Sequence, residues 1–188
     1  MSAMIDLFKE TPISELIGQS VGIIGMILAM ISFQCKKHRN YCVLQASSGG
    51  AFALSFFILG SYTAALLNFF NILRGYAFGI APEKSRKYFL PLLIILYTGA
   101  SAATFDIHST AFNMIVCVLV CTAQVAGTIV MYTANGKVIR IVQNVYISPA
   151  WMVHNIYTVH VGGILCEAFN FASSLIALIR FRKTGFTK

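Results

Sequence analysis

Asn68, Asn71 and Arg74 sit at three-residue spacing in the apolar stretch L-L-N-F-F-N-I-L-R. That spacing puts them on one helix face, where two amides and a guanidinium can hydrogen-bond hydroxyls or an anionic group. A second set, Glu167, Asn170 and Ser174, falls on nearly one face of an apolar stretch near the C-terminus. A third lies in S-P-A-W-M-V-H-N, where Trp151, the sole tryptophan, stands between Pro149 and the pair His154 and Asn155. An indole so placed either stacks on a sugar or heteroaromatic ring or anchors the chain at an interface. His154 and His160 are of a type that titrates near neutral pH. The chain has no H-E-x-x-H or phosphate loop and no close pair of intramembrane acids, so neither enzymatic activity nor a cofactor is expected.

The cysteines exclude little. There are five, an odd number, and Cys35, Cys42, Cys117, Cys121 and Cys166 all fall in or beside apolar stretches, where buried free thiols are the expectation. Cys117 and Cys121 share a helix face, but no nearby His or carboxylate completes a metal site.

What must position these side chains is a set of membrane helices. Hydrophobic residues make up 57% of the 188 positions, charged residues only 11%, and mean hydropathy is +0.76, so the class is an integral membrane protein. A helix crossing hydrocarbon needs roughly 20 mainly apolar residues, because lipid cannot satisfy backbone N–H and C=O groups. Seven such spans are expected, over residues 14–34, 41–59, 62–80, 88–105, 110–132, 138–156 and 162–181. Thr11 and Pro12 read as the cap and first turn of the opening helix, with Glu15 near its positive end. No cleavable signal is expected, since the chain opens with Asp6, Glu10 and Pro12 rather than a basic start and an apolar run.

Charge sets the orientation. Lys36, Lys37 and Arg39, then Lys84, Arg86 and Lys87, then Lys137 and Arg140 occupy alternate breaks, and Arg180, Arg182, Lys183 and Lys188 occupy the tail. The breaks around Gly60, Asp106 and Val161 hold no Lys or Arg. The positive-inside rule then predicts an external (periplasmic) N-terminus and a cytoplasmic C-terminus, which an odd number of spans requires. The net charge of +8 is spread over four short membrane-edge segments, so lipid headgroups rather than nucleic acid are the expected partner.

The chain also carries an internal echo. Gly60 and Gly162 each begin a span and precede an asparagine by eight residues, Asn68 and Asn170, while Gln45 and Gln143 follow corresponding basic breaks. Two triplets of spans separated by one linker span must run parallel. The predicted division is an N-terminal segment 1–13, a first three-helix bundle 14–81, a linker helix 82–108, a second three-helix bundle 109–182 and a tail 183–188. Gly18 and Gly22 in the first span, and Gly99 and Ala103 in the linker, predict close helix approach.

Nearly the whole chain resembles the YgjV-type bacterial inner membrane proteins. The likeness is carried by I-S-F-Q-C-K-K-H-R-N-Y, F-F-I-L-G-S-Y-T-A-A-L-L-N-F-F-N-I-L-R-G, S-P-A-W-M-V-H-N and G-G-I-L-C-E-A-F-N-F-A-S-S-L-I-A-L-I-R-F-R. In layout it is similar, more distantly, to SWEET, PQ-loop and Pnu vitamin transporters. That resemblance implies an all-α fold of seven transmembrane helices, two parallel three-helix bundles joined by a linker helix, in the bacterial inner membrane. It also implies an aromatic on the second helix of each bundle about fifteen residues before an asparagine on the third. Carried over, these are Phe56 with Asn71, or with Asn68, and Trp151 with Asn170. The SWEET proline in the first helix of each bundle is missing; Gly22 and Gly25 stand in the first span and Gly127 in the fifth.

These residues predict a small-molecule transporter or facilitator working by alternating access. The solute is polar, such as a sugar or vitamin-like compound, and meets Asn71, Asn170, Trp151, Phe56, Asn68 and Asn155. Glu167, His154 and Arg74 are candidates for proton or polar coupling. Two alternatives stay open: a receptor module that holds its ligand without passing it, as in the similarly laid-out endoplasmic reticulum retrieval receptor, and an assembly partner of another membrane protein through Gly18-x-x-x-Gly22. For Arg74 the favoured expectation is a side chain that snorkels to the basic edge. For Glu167, proton carriage and structural pairing or capping both remain.

Overall fold

A computed structural model describes residues 12–60, 62–103, 110–157 and 161–182. Within them, the regular elements are helices: α1 (Ile13–Phe33), α2 (His38–Ile58), α3 (Tyr62–Gly79), α4 (Glu83–Ala103), α5 (Ala111–Tyr132), α6 (Gly136–Val142), a π-helical turn (Gln143–Ile147), α7 (Ser148–Tyr157) and α8 (Val161–Arg180). Because α6, the π turn and α7 run on without a gap, seven rods result. Thr11, Asp106, His160 and the tail from residue 183 lie outside the described residues.

Four rods are long and apolar enough to cross a membrane: Ile13–Phe33, His38–Ile58, Ala111–Tyr132 and Gly163–Arg180. The others fall short for visible reasons. α3 carries Asn68, Asn71 and Arg74; α4 opens at Glu83, not at residue 88, with Lys84, Arg86 and Lys87 in its first two turns; and the sixth rod is interrupted. The interruption sits ahead of Pro149, whose missing N–H cannot serve the preceding turn. There the Ser148 N–H bonds to the Gln143 carbonyl, five residues back, as in a π-bulge.

Local chemistry sets several ends. Pro12 is the N-cap of α1 rather than part of its first turn, and its carbonyl accepts from the N–H groups of Glu15 and Leu16. Thr110 caps α5, accepting from the Asn113 N–H at 3.3 Å. Asn135 caps α6, accepting from the N–H groups of Lys137 and Val138.

The rods pack in a closed circuit: α1 on α2, α2 on α3, α3 on α5, α5 on α6 and α7, these on α8, and α8 back on α1. α4 stands outside it, against α3 and α5. Close approach occurs where the small residues lie. Gly18, Gly22 and Gly25 receive Leu59, at the C-cap of α2, and Ser55 and Phe52 within it, so Gly18-x-x-x-Gly22 packs against α2 of the same chain. Ser55 and Ser48 of α2 donate across that interface to the Gly18 and Gly25 carbonyls at 2.7 and 2.8 Å. Gly99, expected at a close approach, has nothing near it.

A cluster including Phe33, Tyr41, Phe78, Met131 and Ile139 places the core toward the end of the bundle bearing the Lys and Arg breaks, here called the cationic end. Outer faces remain apolar: Ile23, Ile24, Ile27 and Ile31 on α1, Ile95 on α4 and Ile179 on α8 are exposed. Such continuous apolar exposure is what lipid, not water, covers.

Candidate functional site

The polar interior lies within the circuit, toward the cationic end. A cavity of about 30 Å³ is lined by Tyr41 and Gln45 of α2, Arg74 of α3, Gln124 and Gly127 of α5, Ile139 of α6, and Gln143 and Ile147 of the π turn. It has room for one or two water molecules. Four rods thus contribute, and both glutamines of the internal echo, Gln45 and Gln143, reach it.

Arg74 does not snorkel. It is 8% exposed and crosses to α5, where Nη1 donates to Gln124 Oε1 at 3.2 Å. Gly127 makes the space, since a Cβ there would stand 3.0 Å from that nitrogen. The guanidinium also lies over the Tyr97 ring at 5.7 Å, a cation–π contact in a low-dielectric setting. Among the described residues no group accepts from its Nε. Gln124, missed in the sequence, is 5% exposed; the available signal was an amide at the centre of the apolar run V-C-T-A-Q-V-A-G.

The glutamines are held by hydroxyls. Gln45 Nε2 donates to Ser32 Oγ at 2.8 Å, and Ser32 in turn donates to the Ala29 carbonyl. Gln143 Nε2 donates to Ser148 Oγ at 2.9 Å, and Ser148 donates to Glu167 Oε2 at 2.8 Å. Glu167 is therefore a hydrogen-bond acceptor at the end of a chain that starts at the cavity wall. The π turn makes this geometry, because Gln143 and Ser148 are its first residue and its C-cap.

The remaining predicted residues are dispersed. Asn71 turns toward α4, accepting from the Tyr97 hydroxyl at 2.6 Å and donating to Asn68 Oδ1 at 3.3 Å, while Asn68 donates to its own helix at Ala64. Asn170 is buried, with Nδ2 3.5 Å from Cys166 Sγ and, among the described residues, no donor at Oδ1. Phe56 stacks on Phe52 at 6.2 Å, and Trp151 meets His154 edge-on at 5.4 Å. Asn155 is buried against Gly163, with its Oδ1 3.4 Å from His154 Nδ1. Neither asparagine of the predicted pair, Asn71 or Asn170, lines the cavity, and neither does Phe56 or Trp151.

Two polar seams flank the cavity. Arg74 and Gln124 form one, between α3 and α5. The other joins α1, α6 and α8: Arg140 donates through Nε and Nη2 to the Phe33 carbonyl at 3.0 and 2.6 Å and through Nη2 to the Cys35 carbonyl at 2.8 Å. Arg140 thus caps the C-terminus of α1, where a cation meets the negative end of the helix dipole. Gln34 donates to the Ser173 carbonyl and Oγ, and Ser173 donates to the Met30 carbonyl. Cys35, in the adjoining break, has its thiol pKa pushed up by burial, with Arg140 opposing.

A family profile, Imp-YgjV, described as bacterial inner membrane protein, matches residues 16–185. The chain is also 21% identical over 165 residues to the inner membrane protein YgjV of Escherichia coli (strain K12), an alignment covering 88% of this chain and 84% of that one. No solved structure matches.

Proposed function

This chain belongs to the Imp-YgjV family of bacterial inner membrane proteins, and from that premise we propose that it carries a small polar solute across the membrane by alternating access. The observation that carries the reading is the polar cavity enclosed by Gln45, Arg74, Gln124 and Gln143 inside a circuit of helices. Buried amides and a guanidinium are costly in a membrane protein and accumulate along solute pathways.

The circuit supports a division into two triplets, α1 to α3 and α5 to α8, with α4 as the outside linker. A twofold exchange of such triplets would carry the α1–α8 contact onto α5–α3, and both contacts occur. Contacts within the first triplet run through glycines and small side chains, whereas those between triplets run through hydrogen bonds of Arg74, Gln34 and Arg140. In this reading the triplets rock as bodies and the two polar seams are the closed gate of one state. The positive-inside rule puts that gate, with the C-terminus, in the cytoplasm and the N-terminus in the periplasm. Phe56 and Trp151 line the approach from the opposite side, and Asn68, Asn71, Asn155 and Asn170 exchange their present partners for solute as the pathway opens.

Uptake by vesicles containing the purified protein, across a panel of labelled sugars, sugar acids, nucleosides and vitamins, tests this. Saturable uptake of one class, reduced at least tenfold in Gln124→Leu, is expected. Absence of uptake across the panel, by protein shown to be folded, would remove the transport reading and favour a ligand-holding receptor.

A further inference from the structure

We propose that Arg74 and the glutamines around it bind a small anion, either a halide or a carboxylate of formate size. Arg74 is nine-tenths buried, carries a guanidinium cation and lines the cavity, yet among the described residues no carboxylate lines that cavity with it. Among the described residues its protein acceptors are the Oε1 and main-chain carbonyl of Gln124, and Nε has none. A buried cation without a counter-charge is expensive, and the wall is furnished to offset that cost with an anion.

The donors converge on it. Gln124 spends its Oε1 on Arg74, which leaves its NH2 group to donate. Gln45 and Gln143 each use an N–H on a serine hydroxyl and keep a second, and Tyr41 adds to the lining. At about 30 Å³ the cavity admits a single-atom or two-oxygen anion and excludes large ones. The inference uses the proposed pathway only to give the site a use; binding itself is independent of flux.

The test uses the purified full chain in an uncharged detergent, with calorimetric titration and thermal unfolding in sodium chloride, bromide and formate against sodium gluconate at equal ionic strength. Saturable binding and a rise in Tm with chloride or formate, but not gluconate, are expected. Arg74→Gln should raise the half-saturating concentration at least about tenfold, since a charge-assisted hydrogen bond is lost. Response to halides identifies a halide site; response to formate alone identifies a carboxylate site. If Arg74→Gln does not fold, Gln143→Ala and Gln45→Ala must weaken binding several-fold. No saturable effect of any small anion, or one unchanged in these variants, overturns the proposal. Binding without vesicle uptake would remove only the transport reading, and uptake of a neutral solute without anion binding would remove only this one.

Discussion

The Tyr97 hydroxyl donates a 2.6 Å hydrogen bond to Oδ1 of Asn71, and the same ring lies beneath the Arg74 guanidinium. One side chain of α4 thus fastens the outer helix to two residues of the polar stripe on α3. Tyr97→Phe keeps the ring and deletes the hydroxyl, leaving the half-buried amide oxygen short of a donor. We expect it to lower unfolding stability by about 1–2 kcal/mol in detergent titrations. An unchanged midpoint would mean that Asn71 finds another donor at no cost.

Arg140 is 1% exposed and satisfies backbone carbonyls of Phe33, Cys35 and Gly136. Arg140→Ala should cost about 2–4 kcal/mol, because the end of α1 loses charge-assisted bonds and its dipole partner. Arg140→Lys should recover less than half, since one ammonium cannot span all three carbonyls. Chemical denaturation of the three proteins side by side measures both.

Gly75 and Gly99 should respond with opposite signs to alanine. A Cβ at Gly75 would stand 2.6 Å from the Cys42 carbonyl oxygen, a backbone atom that cannot turn away, whereas one at Gly99 meets nothing. Gly75→Ala is expected to destabilise by about 2–3 kcal/mol through forced separation of α2 and α3. Gly99→Ala should stabilise by about 0.5–1 kcal/mol through helix propensity. Thermal melts that move both variants the same way would contradict this packing.

The proposed orientation predicts labelling. With native cysteines replaced, a cysteine at Lys84 or Lys137, both exposed at the cationic end, should resist a membrane-impermeant maleimide in intact cells whose outer membrane has been permeabilised. One at Gly60 should react. Reaction at Lys84 and protection at Gly60 would invert the topology.

Helix placement was legible because seven apolar runs are separated by polar breaks, and lipid permits such runs few other structures. The first turn of α4 was not, because charged residues 83–87 read as a break although they extend that helix at the water edge. Side-chain direction was legible only in part. Gln45 and Gln143 stood out through their position after basic breaks and proved to share the cavity. Arg74 looked like a snorkelling residue because its fate depends on what lies opposite, and Gln124 is 50 residues away in sequence, with Gly127 beyond it. Asn71 was expected to face a pathway; its hydrogen bond from Tyr97, on a helix with no polar pattern of its own, had no signal in the sequence. A pairwise contact between distant helices leaves no mark on the periodicity of either.

Arg140 finishes a helix that is synthesised long before it. The Phe33 carbonyl that it caps lies 107 residues upstream, an interval of about 5–20 s at ordinary ribosomal speeds. Throughout that time the nascent α1 sits in the membrane with its last carbonyls dependent on water or headgroups. Its partner Gln34 waits longer still, since Ser173 follows 139 residues later. The end of α1 is therefore completed only once α8 has been made, and the growing chain must be kept from rival hydrogen-bond donors until then.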